Sequence, residues 1–120
     1  MDKDSLGARA EEAVAHYIEG RGWRVRERNV ARPWGEIDIV AQDGDILVCV
    51  EVKAGYKREG FTPEDHFDAR KRAKVARACQ EYATRNGFSE SKCRVDLAGV
   101  EVDTVRASAR IRYYKNVGQE

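Results

Sequence analysis

Residues 36–53 read EIDIVAQDGDILVCVEVK, and the fold of the chain is best approached from this stretch. Residues 36–42 and 46–53 are rich in Ile and Val, which is typical of β-strands. The Asp43-Gly44 pair between them is favoured in two-residue hairpin turns. The second segment is apolar on both of its faces, which predicts a central strand. The stretch therefore predicts a β-hairpin at the middle of a sheet.

The hairpin carries its charged residues at alternating positions. Side chains alternate between the faces of a strand, and directly opposed residues point to the same side. A two-residue loop at Asp43-Gly44 predicts that Asp38 lies opposite Cys49 and that Glu36 lies opposite Glu51. A register shifted by one residue would separate these pairs. In the predicted register four charged side chains share one face: Glu36, Asp38, Glu51 and Lys53.

Three carboxylates on a largely buried hairpin predict a compensating cation. Like charges packed together raise carboxylate pKa values and weaken a fold, whereas a divalent cation removes that penalty. We expect Asp38 and Glu51 to bind Mg²⁺ or Mn²⁺, with Glu36 as a secondary acid. Acid, acid and lysine on one face are suited to metal-assisted hydrolysis of a phosphodiester, with Lys53 orienting water or contacting phosphate. Ordinary salt bridges at a strand edge remain the alternative.

The flanking segments predict two helices and three further strands. Residues 4–20 have helical apolar spacing, with Asp4 or Ser5 as the N-cap. Residues 23–30 alternate as a half-exposed strand, residues 64–86 predict a second helix after a loop at 54–62, and two strands follow, at 93–102 and 107–115. The order α-β-β-β-α-β-β indicates a mixed α/β domain.

The first helix adds another candidate acid to the hairpin. At 100° per residue, Glu11 lies at the edge of the apolar stripe, and Glu12 points the opposite way. We therefore expect Glu11 to reach the hairpin and Glu12 to face solvent. An ordinary boundary glutamate is the alternative for Glu11.

Clustered basic residues predict DNA as a partner, although the net charge is only +1. Lys71 and Lys74 fall within the apolar span of the second helix, where they could reach the site and hold phosphate. Arg70 lies beside them, and a solvated helix face is the alternative for this group. Arg24, Arg26 and Arg28 alternate along the first strand and form a second expected phosphate track. Trp34 is a candidate for stacking on a base, or else a core or rim aromatic.

Length and composition indicate one domain, residues 1–120, with an ordered core of about 5–116. Three widely spaced cysteines predict neither disulfides nor a structural zinc site. The absence of an apolar leader or span predicts a cytoplasmic protein with no membrane partner. The sequence contains no nucleotide-binding or Ser-His-Asp pattern, so we expect no small-molecule cofactor.

Several motifs resemble one family over about residues 6–116. They are Ala10-Glu-Glu-Ala13, Gly22-Trp23, Arg28-Asn29, Gly35–Ala41, Val50–Lys53, Asp68–Arg72 and Arg94–Asp96. Together they resemble the UPF0102 (YraN-like) family. The resemblance implies a restriction-endonuclease-like fold of the PD-(D/E)XK class, similar to Holliday-junction resolvases.

The resemblance also implies roles for individual residues. Asp38 and Glu51 match the two acids of the motif, Lys53 its lysine, and Glu11 the helix-one glutamate of resolvase-like members. Ile37 replaces the proline that names the motif. Residues 54–58 depart from the Thr and Arg/Ser-rich continuation that is frequent in the family. The resolvase likeness implies action on branched DNA and a homodimer.

Three functions follow as hypotheses. The first is a metal-dependent DNA endonuclease in which Glu11, Asp38, Glu51 and Lys53 are catalytic. The second is a nucleic-acid-binding module with the nuclease fold but without useful activity. The third is a protein-interaction scaffold in which the acids are only structural.

Overall fold

The computed structural model describes residues 5–33 and 35–118, so Asp4 and Trp34 lie outside the described residues. The elements are α1 (Leu6–Gly20), β1 (Arg24–Arg32), β2 (Gly35–Asp43), β3 (Ile46–Tyr56), α2 (Ala69–Arg85), β4 (Cys93–Asp103) and β5 (Ser108–Tyr114). The strands form one sheet in the order β1-β2-β3-β4-β5. Only the β3–β4 pair is parallel. The predicted mixed α/β fold is confirmed and is compatible with a restriction-endonuclease-like fold.

The sheet has an apolar core on each face. The helix α1, whose first turn is capped by the Ser5 side chain, packs against residues such as Ile39 and Val50. The helix α2 covers the other face, where Cys49 and Cys79 are buried as free thiols. None of the helices within residues 5–33 and 35–118 is long and apolar enough to cross a bilayer. The expected central position of β3 is confirmed, because it has a strand on each side.

The predicted register of the hairpin is wrong by two residues. Asp43 pairs with Ile46, so the loop is Gly44-Asp45 and Cys49 lies opposite Val40 instead of Asp38. Gly44 has a φ of 62° and occupies the first central position, where a type II′ turn favours glycine. Within the paired residues, a shift of two leaves the side chains on their predicted faces, because the side-chain period of a strand is also two.

Two element boundaries differ from the prediction by more than two residues. The strand β3 continues to Tyr56, because residues 54–56 pair with β4 instead of forming a loop. The second helix begins at Ala69 and not at residue 64. Asp68 caps it by accepting a hydrogen bond from the Lys71 backbone N–H at 3.0 Å. The preceding segment Pro63–His66 is a 3₁₀ turn.

A buried charged network fastens the end of the chain to β4. Asp96 is fully buried. Its Oδ1 atom accepts hydrogen bonds from Arg94 Nε at 3.0 Å and from the Asn116 backbone N–H at 2.8 Å. Its Oδ2 atom accepts a hydrogen bond from the Tyr113 hydroxyl at 2.7 Å. Because every contact donates to the carboxylate, the network compensates the cost of burying its charge.

A clamp formed by Glu64, Arg112 and Tyr114 holds the 3₁₀ turn against the sheet. It requires a glycine at position 99. Glu64 accepts hydrogen bonds from Arg112 at 2.6 and 3.1 Å and from the Tyr114 hydroxyl at 2.8 Å. A Cβ atom at Gly99 would overlap the Glu64 side chain. This contact explains the absence of a side chain at position 99, since Glu64 occupies the space.

We expect Gly99→Ala to lower the free energy of unfolding by about 1–3 kcal/mol, because the added methyl group must displace the clamped Glu64. Urea unfolding measures this loss. Gly7→Ala is the matched control: Gly7 lies in α1 and has nothing within 4 Å of its added Cβ, so stability should be unchanged or slightly higher. Equal stabilities for Gly99→Ala and the unsubstituted protein would contradict the clamp.

Candidate metal centre

The site begins where the two strands of the hairpin separate. The β2–β3 ladder runs from Asp43–Ile46 to Ile39–Val50. One residue further along β2, the Asp38 carboxylate accepts a hydrogen bond from the Val52 backbone N–H at 2.8 Å. A side chain therefore takes the place of a strand carbonyl, and the Asp38 carboxylate is held at the opening between β2 and β3.

Carboxylates from two elements meet Asp38 at this opening. One carboxylate oxygen from each of Glu11, Glu36 and Asp38 lies within 4.8 Å of the other two. Glu11 comes from α1 and is only 9% exposed. Its inward position agrees with the expectation for the first helix. Glu12, as expected, faces solvent, where it pairs with Arg28 at 3.0 Å.

Glu51 and Lys53 lie on the same face as Asp38. The Lys53 Nζ atom is 3.2 Å from Glu51 Oε2, and both side chains are largely buried. Glu51 and Asp38 also line the same cavity. We call Glu11, Glu36, Asp38 and Glu51 the acidic cluster. The hairpin thus brings together the charged residues that the sequence placed on a common face.

The acidic cluster perturbs the protonation of its own members. Burial, followed by the negative charge of Glu51, raises the pKa of Asp38 from 3.8 to about 8. Burial also raises the pKa of Glu11, against the lowering effect of a hydrogen bond from Asn29. Without a cation, the protein therefore retains a proton at Asp38 near neutral pH.

Two lysines of α2 complete the walls of a cavity at the acidic cluster. The cavity has a volume of about 260 Å³. Its lining residues are Gly35, Glu36, Asp38, Glu51, Lys53, Lys71, Lys74 and Val75. The ammonium groups of Lys71 and Lys74 belong to exposed residues of the helix, in the place expected for them. A larger cavity of about 520 Å³, between α1 and the β4–β5 hairpin, has mostly apolar or small lining residues and no cluster of acids.

The other expected DNA contacts do not converge on this cavity. Arg24 and Arg26 both donate to Gln42 Oε1 at 3.0 Å, and Gln42 lies roughly 13 Å along β2 from Asp38. The expected single face for the arginines of β1 is wrong, because a β-bulge interrupts the strand between Val25 and Glu27. As a result Arg26 stacks on Phe88 after α2, whereas Arg28 pairs with α1.

Neither Arg70 nor Trp34, the two remaining candidates for DNA contacts, can be placed at the cavity. Arg70 is exposed at the start of α2 and does not line the cavity. Trp34, the candidate for base stacking, lies outside the described residues.

Sequence reasoning also missed Asn29, whose side-chain amide contacts two acids of the cluster. Its only signal was its place among the quoted family motifs.

The donor set of the acidic cluster fits a hard divalent cation. All of the candidate ligand atoms are carboxylate oxygens, which Mg²⁺ and Mn²⁺ prefer. Glu11, Glu36 and Asp38 crowd around one opening, and the neighbouring Glu51 is ion-paired with Lys53 at 3.2 Å. A divalent cation would therefore relieve the repulsion that raises the pKa of Asp38.

Comparisons with known proteins match most of the chain. Residues 10–100 match the model of a family described as "Uncharacterised protein family UPF0102". The chain is 34% identical to a UPF0102 protein of Pelotomaculum thermopropionicum over 111 residues. This aligned region covers 92% of each chain. It is 40% identical over 96 residues to one from Symbiobacterium thermophilum, covering 80% of this chain and 81% of that protein. A protein of Carboxydothermus hydrogenoformans is 33% identical over 98% of each chain.

Proposed function

The chain belongs to the UPF0102 family, and we propose that it is a Mg²⁺- or Mn²⁺-dependent endonuclease that hydrolyses phosphodiester bonds in DNA. The single observation that carries this proposal is that Asp38, Glu51, Lys53 and Glu36 line one cavity. The Glu11 carboxylate lies within 4.8 Å of those of Glu36 and Asp38. The family description names no activity, so the proposal rests on the chemistry of these side chains. The expectation of branched DNA as the substrate belongs to this proposal.

The acids of the cluster would hold the cation. Asp38 and Glu51 are the proposed ligands, and Glu11 and Glu36 complete the negative site around them. The proton held at Asp38 would leave as a cation enters, because ligating carboxylates must be deprotonated. When bound, the cation would supply the activation of water and the neutralisation of phosphate charge. The hydrogen bond from Val52 keeps the Asp38 carboxylate oriented toward the opening.

The lysines would act on the substrate. Lys53 is fixed beside Glu51, and its ammonium group can donate to the phosphate oxygen that gains negative charge during hydrolysis. Lys71 and Lys74 approach the same cavity from α2 and can bind neighbouring phosphates of the backbone. The acids would thus bind the cation, and the lysines would bind the negatively charged phosphates of the substrate.

A nuclease assay tests the proposal. We expect the purified chain to cleave branched or single-stranded DNA in Mn²⁺, with no cleavage in EDTA. Lys53→Ala should lower the rate at least about 100-fold, since a positioned cationic donor is lost. Failure to cleave any of these substrates in Mn²⁺, or cleavage unchanged by Lys53→Ala, would count against it. DNA binding without cleavage would favour a binding module, and no binding at all a protein-interaction scaffold.

The lysines of α2 give a prediction that is independent of cleavage. We expect Lys71→Ala with Lys74→Ala to weaken DNA binding uniformly across sequences and to reduce the slope of log K against log salt by about 2. Fluorescence anisotropy at several salt concentrations in Ca²⁺ or EDTA measures both quantities.

The control for this prediction is Lys92→Ala. Lys92 also carries one positive charge, but it pairs with Asp45 at 3.3 Å beside the turn at the other end of the sheet. Its substitution should leave the salt slope unchanged. An equal loss of affinity from Lys92→Ala would indicate unspecific attraction, and would contradict a DNA path across the cavity.

A further inference from the structure

Asn29 has a backbone conformation that is unusual within a strand. Its φ is 54°, in the left-handed region. Ala107 and Asn116 are the other non-glycine residues with positive φ in the described ranges, and both lie outside strands. Asn29 lies inside β1, between the pairs Arg28–Ile39 and Val30–Ile37. Asparagine adopts this conformation more readily than most side chains, so the residue type suits the backbone there.

The side chain of Asn29 bridges two acids from different elements. With its NH₂ group toward them, the amide nitrogen lies 3.0 Å from Glu11 Oε1 and 3.1 Å from Glu36 Oε1. The opposite orientation would place the amide oxygen against both carboxylates, so the hydrogen-bond network selects the first one. One amide group thereby ties α1 to β2 at the acidic cluster.

These contacts offset the repulsion between neighbouring carboxylates. Glu11 and Glu36 repel each other, and the negative charge of Glu11 also raises the pKa of Asp38. A neutral group with two N–H donors can satisfy both carboxylates without occupying the space between them and Asp38. An aspartate of the same shape would add a third negative charge instead. An alanine would be strained at this φ.

We propose that Asn29 is a positioning residue that holds Glu11 and Glu36 at the spacing required by the divalent cation. This inference rests on the proposed function, because it concerns the same centre. The left-handed backbone turns the amide toward the acids, and the two hydrogen bonds fix the Glu11 side chain before a cation binds. Preorganisation of this kind reduces the cost of ordering ligands on binding.

Mn²⁺ affinity separates this role from a merely structural one. Asn29→Gly keeps the left-handed backbone without strain and deletes only the amide. We expect its dissociation constant for Mn²⁺, measured by electron paramagnetic resonance of free Mn²⁺, to rise about tenfold. Asn116→Gly is the matched control, because Asn116 has a φ of 58° and contacts Asp96 through its backbone. Its Mn²⁺ affinity should equal that of the unsubstituted chain.

A second variant tests the contacts without a cation. Asn29→Asp keeps the size of the side chain but replaces the donors by a carboxylate, so we expect the melting temperature in EDTA to fall by about 5 °C or more. Saturating Mn²⁺ should bring the melting temperature of Asn29→Asp closer to that of the unsubstituted chain. An Asn29→Asp variant as stable in EDTA as the unsubstituted chain would overturn the inference, whatever the behaviour of Asn29→Gly.

The outcomes distinguish the inference from the proposed function. If the unsubstituted chain binds Mn²⁺ and Asn29→Gly binds it equally well, the positioning role is wrong while the proposed metal centre stands. If the unsubstituted chain does not bind Mn²⁺, both are wrong. A tenfold loss in Asn29→Gly with no loss in Asn116→Gly, together with the lower melting temperature of Asn29→Asp in EDTA, supports the role of the amide.

Discussion

Replacing Asp38 by asparagine is expected to abolish metal-dependent cleavage and, in EDTA, to make the protein more stable. Asparagine can still accept the hydrogen bond from Val52, and its NH₂ group can donate to the neighbouring acids. It cannot supply the anionic oxygen that a divalent cation prefers. A residue whose removal stabilises the fold but eliminates activity is retained for function at a cost in stability.

The stability gain should depend on pH. The pKa of Asp38 rises from 3.8 to about 8 on folding, first through burial and then through the charge of Glu51. Between these values the folded protein holds a proton that the unfolded chain has released, so stability falls as pH rises. The fall ends above about pH 8, where both states have lost the proton. Below about pH 4 Asp38 is protonated in both states, so its carboxyl group no longer lowers the free energy of unfolding.

Urea unfolding in EDTA measures the difference. Since asparagine stays neutral, Asp38→Asn should gain little over the unsubstituted chain at about pH 4 and on the order of 5 kcal/mol at about pH 8.5. Asp45→Asn is the control, because the Asp45 side chain is 76% exposed at the hairpin turn. Parallel pH profiles for Asp38→Asn and the unsubstituted chain would show that the carboxyl group is not held in a desolvated acidic cluster.

Asp96→Ala is expected to give the largest loss of stability of any substitution considered for this chain. The change removes the acceptor of three donors. The Arg94 guanidinium would keep its ion pair with Asp43 at 3.3 Å and its place over the Trp23 ring, but lose its buried carboxylate partner. Breaking a buried ion pair from one side costs about 3–5 kcal/mol, because the remaining charge stays desolvated. Urea unfolding near neutral pH measures the loss.

The control for Asp96→Ala is Asp45→Ala. Asp45 also pairs with a basic residue, Lys92, but both side chains are more than half exposed. Its loss should be below about 0.5 kcal/mol. A cost below about 1 kcal/mol for Asp96→Ala would mean that the network does not fasten the end of the chain to β4.

The hairpin illustrates how far the sequence predicts the site. The period of two along each strand is a local property, and it correctly assigns Asp38, Glu51 and Lys53 to one face. The loop position depends on a balance between two turns that both use Gly44, and there the prediction was wrong by two residues. The error did not affect the face, because the shift was even.

The missing parts of the site depend on backbone irregularities. The bulge after Val25 reverses the side on which later residues of β1 lie, and the alternation of arginines in the sequence contains no sign of it. The sequence likewise gives no sign that Asn29 adopts a left-handed conformation inside a strand, with its amide against Glu11 and Glu36. The start of α2 was placed too early because Pro63 is a plausible first helical residue, whereas the cap at Asp68 depends on how the 3₁₀ turn is clamped by Glu64.

The most direct measurement is the anomalous scattering of a crystal soaked in millimolar Mn²⁺. The proposed centre predicts a manganese peak in the cavity, about 2.1 Å from a carboxylate oxygen of Asp38 and bound by at least one further acid of the cluster. Crystals of Asp38→Asn soaked in the same way should lack the peak. A cavity open to solvent that contains no manganese, or manganese bound elsewhere with this cavity empty, would contradict the metal centre.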